Sequence, residues 1–127
     1  MIDHISLAVR DLAGATAFYE AVLSPIGLTR LETRTTTVGF GKRYPEFWLN
    51  HRPTMTPRPE NSGVHVCIRA SDAGAVDAFH RAALAAGGRS EGPPGLRPAY
   101  GKGYYAAFVC DLDGNTVEAV TFLAAPA

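Results

Sequence analysis

The sequence predicts an α+β domain of two tandem βαβββ modules. Their strands form one curled mixed sheet around a cavity, with the helices on the outer face. Three observations predict it: an internal repeat covering most of the chain, a strand followed by a helix at the start of each copy, and strand patterning after each helix. An offset of 61 residues lays His4 on His65, Asp11 on Asp72, Ala17 on Ala78 and Phe18 on Phe79 without a gap. It also lays Ala21 on Ala82, Leu23 on Leu84 and Gly27 on Gly88. Self-similarity at one period marks a duplicated unit. Alanine bias does not by itself align His, Asp, Phe, Leu and Gly together.

Each copy opens with a strand. Ile5, Leu7 and Val9 alternate with His4, Ser6 and Ala8, and Val64, Val66 and Ile68 alternate with His65, Cys67 and Arg69. Period-two alternation is that of a half-buried strand, so the aliphatic set faces the helices and the two histidines face the other way. Asp11, and Ser71 or Asp72, then offer helix N-caps, because a short side-chain oxygen satisfies the first free helical N–H groups. Helices follow over about 13–23, with Phe18 and Val22 inward, and about 73–86, with Val76, Phe79, Ala83 and Leu84 inward. Ser24-Pro25 stops the first and Gly87-Gly88 the second. Strands are expected at about 28–33, 36–41 and 45–50 in the first copy. In the second they are expected at about 89–91, 104–110 and 115–122. The last two are joined by a hairpin turn at Asp111-Leu112-Asp113-Gly114-Asn115. Residues 51–62, with Pro53, Pro57 and Pro59, read as a linker between modules of about 1–52 and 63–123. Residues 92–103 read as a long loop of the kind that often covers a site.

A chain of 127 residues makes one domain, here 1–127, and modules of about 60 residues bury too little surface to stand alone. Lys plus Arg equals Asp plus Glu at 12 each, so no general basic or acidic face invites nucleic acid or an anionic membrane. No apolar run has the roughly 20 residues of a membrane span, and the start is not a signal peptide. Cys67 and Cys110 lie far apart without a CxxC, which fits a reducing compartment. The expectation is a soluble cytoplasmic domain that binds a small molecule. Phosphate-loop, G-x-S-x-G and HExxH motifs are absent.

The polar residues on the strands carry the chemistry. Glu118 interrupts the apolar run Val117, Ala119, Val120, where an unpaired charge is costly. His4 and His65 occupy equivalent places in the two copies. Two readings stand: satisfied strand residues, or two imidazoles and a carboxylate for Fe, Mn, Zn, Ni or Co. Cys67 shares the face of His65, as a substrate contact or as a small hydrophobe. Tyr104 and Tyr105 point to opposite faces, so at most one of them lines a pocket. Arg97, Tyr100 and Lys102 of the long loop suit an anionic ligand or simply face solvent.

These residues resemble the vicinal oxygen chelate superfamily, which groups glyoxalase I, bleomycin-resistance proteins, fosfomycin-modifying transferases and extradiol dioxygenases. The resemblance spans essentially the whole chain. It rests on the opening from Asp3 to Leu12 with Phe18-Tyr19 and Leu23, on Gly63-Val64-His65-Val66, and on the ending from Phe108 to Glu118. That ending has Leu112 where the family's D-P-D-G-[NY]-x-[IV]-E pattern has proline. The resemblance implies that His4, His65 and Glu118 bind a divalent cation. It places Trp48 where glyoxalase I carries a fourth ligand, so a three-ligand site like that of the transferase and dioxygenase branches is implied. It also implies a homodimer, in some members with sites built across the interface. The expected activity is metal-dependent lyase, transferase or dioxygenase chemistry on an oxygen-bearing small molecule, with Trp48, Cys67, Arg97, Tyr100 and Tyr104 as substrate contacts. The alternative is a metal-free protein that sequesters a drug or toxin against Trp48, Tyr104 and Phe122.

Overall fold

The computed structural model describes residues 1–59 and 62–124; Glu60 and Asn61 of the expected linker and the last three residues of the expected domain lie outside them. The chain runs β1 (Ile5–Val9), α1 (Leu12–Leu23), β2 (Thr29–Thr33), β3 (Thr37–Gly41), β4 (Pro45–His51), β5 (His65–Arg69), α2 (Ala73–Ala85), β6 (Arg89–Leu96), β7 (Tyr104–Cys110) and β8 (Thr116–Phe122). This is the expected βαβββ pattern twice. Main-chain hydrogen bonds divide the strands into two four-stranded mixed sheets, β1-β4-β3-β2 and β5-β8-β7-β6, one per module and neither closed into a barrel. In each, the first strand runs parallel to the last, and the remaining pairs are antiparallel. No helix among the described residues is long and apolar enough to cross a membrane.

The helices form where the caps predict. Asp11 accepts from the Gly14 N–H at 3.1 Å, and Asp72, rather than Ser71, accepts from the Ala75 N–H at 2.8 Å. Phe18 and Phe79, partners under the 61-residue offset, are both buried, each on the inward stripe of its helix. Pro25 ends α1 by starting a short 3₁₀ turn, Ser24–Ile26, which Gly27 closes in the left-handed region. The main departure from the expected boundaries is β6. It continues to Leu96 through two register shifts, so only the second half of residues 92–103 is loop, with a 3₁₀ turn at Pro98–Tyr100. Gly92-Pro93-Pro94-Gly95 reads as a breaker, yet bulges let β7 pair with both ends of it.

The modules are tied together by the turn expected to do no more than connect β7 and β8. Asp111 Oδ1 accepts from the backbone N–H groups of Asp113 and Asn115, and Oδ2 accepts from the Tyr19 hydroxyl at 2.7 Å and the Asn115 amide at 2.9 Å. The Asn115 amide also donates to the Ala8 carbonyl, and Arg10 Nε donates to Asp113 at 2.8 Å. Tyr19, Arg10 and Ala8 belong to the first module. The turn of the second module is therefore pinned to the first strand and helix of the other by buried, charge-assisted bonds.

Candidate functional site

The register of the two sheets explains what the duplication kept and what it changed. Ser6 faces Trp48 across β1 and β4, and Cys67 faces Glu118 across β5 and β8. Ser6 and Cys67 are partners under the 61-residue offset. Trp48 thus occupies in the first sheet the place that Glu118 occupies in the second. The modules carry a histidine each at the repeated position, His4 and His65, but only the second has a carboxylate in that place.

In the second sheet the expected residues converge. Glu118 is 2% exposed and the one charged residue of its strand. Its Oε1 lies 3.0 Å from His65 Nε2, whose side chain remains 44% exposed, and its Oε2 accepts a short hydrogen bond from the Tyr104 hydroxyl. A buried carboxylate is tolerated because both oxygens are met. Tyr104 packs edge-to-face on Tyr100 and on Phe122, with ring centroids 5.5 and 5.4 Å apart. Tyr105 takes the opposite face and donates to Asp77 of α2, as strand alternation requires. Desolvation, then the hydrogen bond to Glu118, raises the Tyr104 phenol well above its ordinary range.

Cys67 is an exposed residue whose thiol tucks against Glu118 and Tyr104. Desolvation, then the charge and hydrogen bond of Glu118, pushes that thiol up to about 12. A thiol raised in this way is poorly suited to act as a nucleophile. The thiolate population falls steeply while intrinsic nucleophilicity rises only partly to offset it. Alkylation of Cys67 by iodoacetamide at pH 8, followed by mass spectrometry, is expected roughly thirtyfold slower than for a free exposed thiol. Glu118→Gln should restore only part of the rate, because it removes the neighbouring charge but not the desolvation.

His4 stands elsewhere. It precedes β1, is bonded to Asp3 at 2.7 Å and is half exposed. It shares a cavity of about 380 Å³ with Ser6, Arg34, Trp48 and Asn50. Trp48 lies flat there because position 39 is glycine: a Cβ would stand 3.0 Å from its ring and 2.8 Å from Pro45. Arg34 covers the ring at 4.9 Å. A second cavity of about 470 Å³, between the two sheets, is bordered by Asp3 on one side and by His65, Cys67 and Arg69 on the other. Among the described residues no group of three or more His, Cys, Asp or Glu is gathered as a metal site. The structure brings His65, Glu118, Cys67 and Tyr104 together, with Tyr100 beside Tyr104. It leaves Trp48 on the other sheet and His4 just before that sheet's first strand.

Phe108 belongs to this face and was not expected. It pairs with Glu118 across β7 and β8, its ring lies 5.9 Å from the His65 ring, and the Arg97 guanidinium covers it at 5.7 Å. The signal was the same alternation that placed Tyr104: positions 104, 106 and 108 share a face. Arg69, stacked on Phe122 at 4.8 Å, follows likewise from positions 65, 67 and 69.

The model of the Glyoxalase/Bleomycin resistance protein/Dioxygenase superfamily matches residues 1–119. No curated protein sequence matches the chain. Among solved structures, a glyoxalase/bleomycin resistance protein from Albidiferax ferrireducens is similar at 29% identity and a TM-score of 0.77, over 93% of this chain and 95% of that one. A family enzyme from Burkholderia phytofirmans is similar at 19% identity and 0.73, over 96% and 98%. The fosfomycin resistance protein FosX from Listeria monocytogenes is similar in fold at 18% identity and 0.69, over 94% and 91%. With its duplicated βαβββ modules and a family match over nearly its whole length, the chain belongs to the glyoxalase/bleomycin resistance protein/dioxygenase superfamily.

Proposed function

We propose that this protein is a divalent-metal-dependent enzyme acting on an oxygen-bearing small molecule. One chain supplies His65 and Glu118, and a second copy supplies His4, so that the working unit is a homodimer in the cytoplasm. The observation that carries the reading is the half-site itself. A buried carboxylate in an apolar strand holds an imidazole that is still open to solvent on one side, whereas the duplicated position opposite Ser6 is Trp48. Two copies exchanging halves would each complete one imidazole–imidazole–carboxylate set. That donor set fits Fe, Mn, Zn, Ni or Co.

When bound, such a metal supplies Lewis-acid polarisation of a substrate oxygen. The chain's own residues do the rest. Tyr104 orients Glu118 through Oε2 and holds its proton far into the alkaline range, which suits a hydrogen-bond donor rather than a base. Phe108, Tyr100 and Phe122 give an apolar wall beside the donors, and Trp48 would close the site from the other module.

One observation favours a second reading, a metal-free protein that sequesters a drug or toxin. Both Glu118 oxygens already have partners, so the carboxylate needs no cation to be satisfied. FosX is named a resistance protein, and a sequestering or modifying resistance role here would use the same aromatic wall.

Metal analysis of untagged protein separates these readings. We expect about one metal per chain, lost in His4→Ala and in His65→Ala. When those two variants are mixed and re-equilibrated, roughly a quarter of the sites should recover metal, the share expected for random pairing with one intact site per mixed dimer. Substoichiometric metal unchanged by either substitution would overturn the metal reading in favour of sequestration.

A further inference from the structure

We propose that the substrate carries an oxyanion group and that Arg97 is its anchor. The group is a carboxylate or a tetrahedral phosphonate or phosphate. Arg97 is held as a receptor is held. Its guanidinium lies over the Phe108 ring at 5.7 Å, and Nη2 donates to the Pro93 carbonyl. Gly92 makes room for it, since a Cβ there would stand 3.0 Å from Nη2 and 3.1 Å from Phe108. The Nε–H is out of water and has no hydrogen-bond partner among the described residues. No carboxylate among the described residues pairs with this guanidinium, although Arg10, Arg30 and Arg34 all have acidic partners. A buried donor without an acceptor is costly, and an arginine fork on an aromatic platform matches oxyanion geometry better than any other side chain. The anion it fits has not been met by the protein itself.

The position gives the inference its functional content. The ring beneath Arg97 is cross-strand from Glu118 and beside His65. An anion on Arg97 would therefore leave the rest of a small molecule directed at the Glu118–His65 pair. Arg69, on Phe122 and likewise without a carboxylate partner among the described residues, adds to the positive field of the same face. This inference deepens the proposed function by naming a substrate class, and it rests on that reading only for the role of His65 and Glu118.

The test uses metal-free full-length protein and reads the Arg97 Nε–H resonance and the Phe108 amide by ¹H–¹⁵N NMR. Methylphosphonate, inorganic phosphate and acetate are titrated at constant ionic strength. At least one should give a saturable shift of both signals, and because the protein is metal-free, failure of the metal reading does not mimic failure of this one. Arg97→Gln, read on the Phe108 amide, should weaken binding at least about tenfold. Gly92→Ala should weaken it while keeping the charge. Arg81→Gln, an equal charge change on the exposed side of α2, should alter it less than about twofold. Tighter binding of methylphosphonate and phosphate than of acetate assigns a phosphonate or phosphate substrate, and the reverse order a carboxylate. Absence of any saturable shift, or equal affinity in wild type and Arg97→Gln, would overturn the proposal.

Discussion

Asp111→Ala is expected to lower stability by about 4 kcal/mol and the thermal midpoint by about 10 °C or more. The carboxylate is buried and accepts from two backbone N–H groups, the Asn115 amide and the Tyr19 hydroxyl. Removing it strands a hydroxyl and an amide where water does not reach, and each such group costs about 1–3 kcal/mol. It also loosens the tie between modules, because Tyr19 and the Ala8 carbonyl belong to the first and the turn to the second. Tyr19→Phe removes one donor and no acceptor shell, so a smaller loss of about 1 kcal/mol is expected. Differential scanning calorimetry of the two variants checks the order. Equal, small losses would mean that the turn does not hold the modules together.

Glu118→Gln is expected to abolish metal retention, with affinity falling at least about a hundredfold, while the fold persists. The amide keeps the shape of the carboxylate and can still bond Tyr104 and His65, but the anionic ligand is gone. An independent readout follows from the pKa argument. The hydrogen bond and the charge of Glu118 both raise the Tyr104 phenol, after desolvation. Their removal should bring its titration down toward the ordinary tyrosine range, read at 295 nm against Tyr104→Phe. Metal loss without a shift of the phenol would show that Tyr104 does not address Glu118 in solution. A shift without any metal in the wild type would leave the cluster intact and favour the sequestering role.

Much of this was legible in the residues. The 61-residue offset, the two capped helices and the period-two strands determined a duplicated βαβββ fold, because each reports a local rule: side-chain alternation, capping of free N–H groups, aliphatic stripes. Glu118 stood out because a charge in an apolar strand needs partners. Alternation set Tyr104 and Tyr105 on opposite faces, and the strand register then put His65 and Tyr104 on the face of Glu118. What was not legible depends on distance in space. Nothing in the order of residues says that Asp111 reaches Tyr19, 92 positions earlier, or that β6 continues through a Gly-Pro-Pro-Gly stretch by bulging. Phe108 was hidden for a different reason: a phenylalanine in a strand reads as core until the sheet shows which face is open.

Sequence by itself determined the modules and the two faces of their strands, since those follow from periods of two and 3.6 residues that any local segment obeys. Only the tertiary structure decided how the duplicated faces differ in use. Register sets Glu118 opposite Cys67 and Trp48 opposite Ser6, and the division into two sheets leaves His4 at the start of one and the His65–Glu118 pair on the other. The physical reason is that pairing across a sheet is a long-range choice. It joins strands far apart in the chain, and buried bonds such as that of Asp111 to Tyr19 then tie one module to the other.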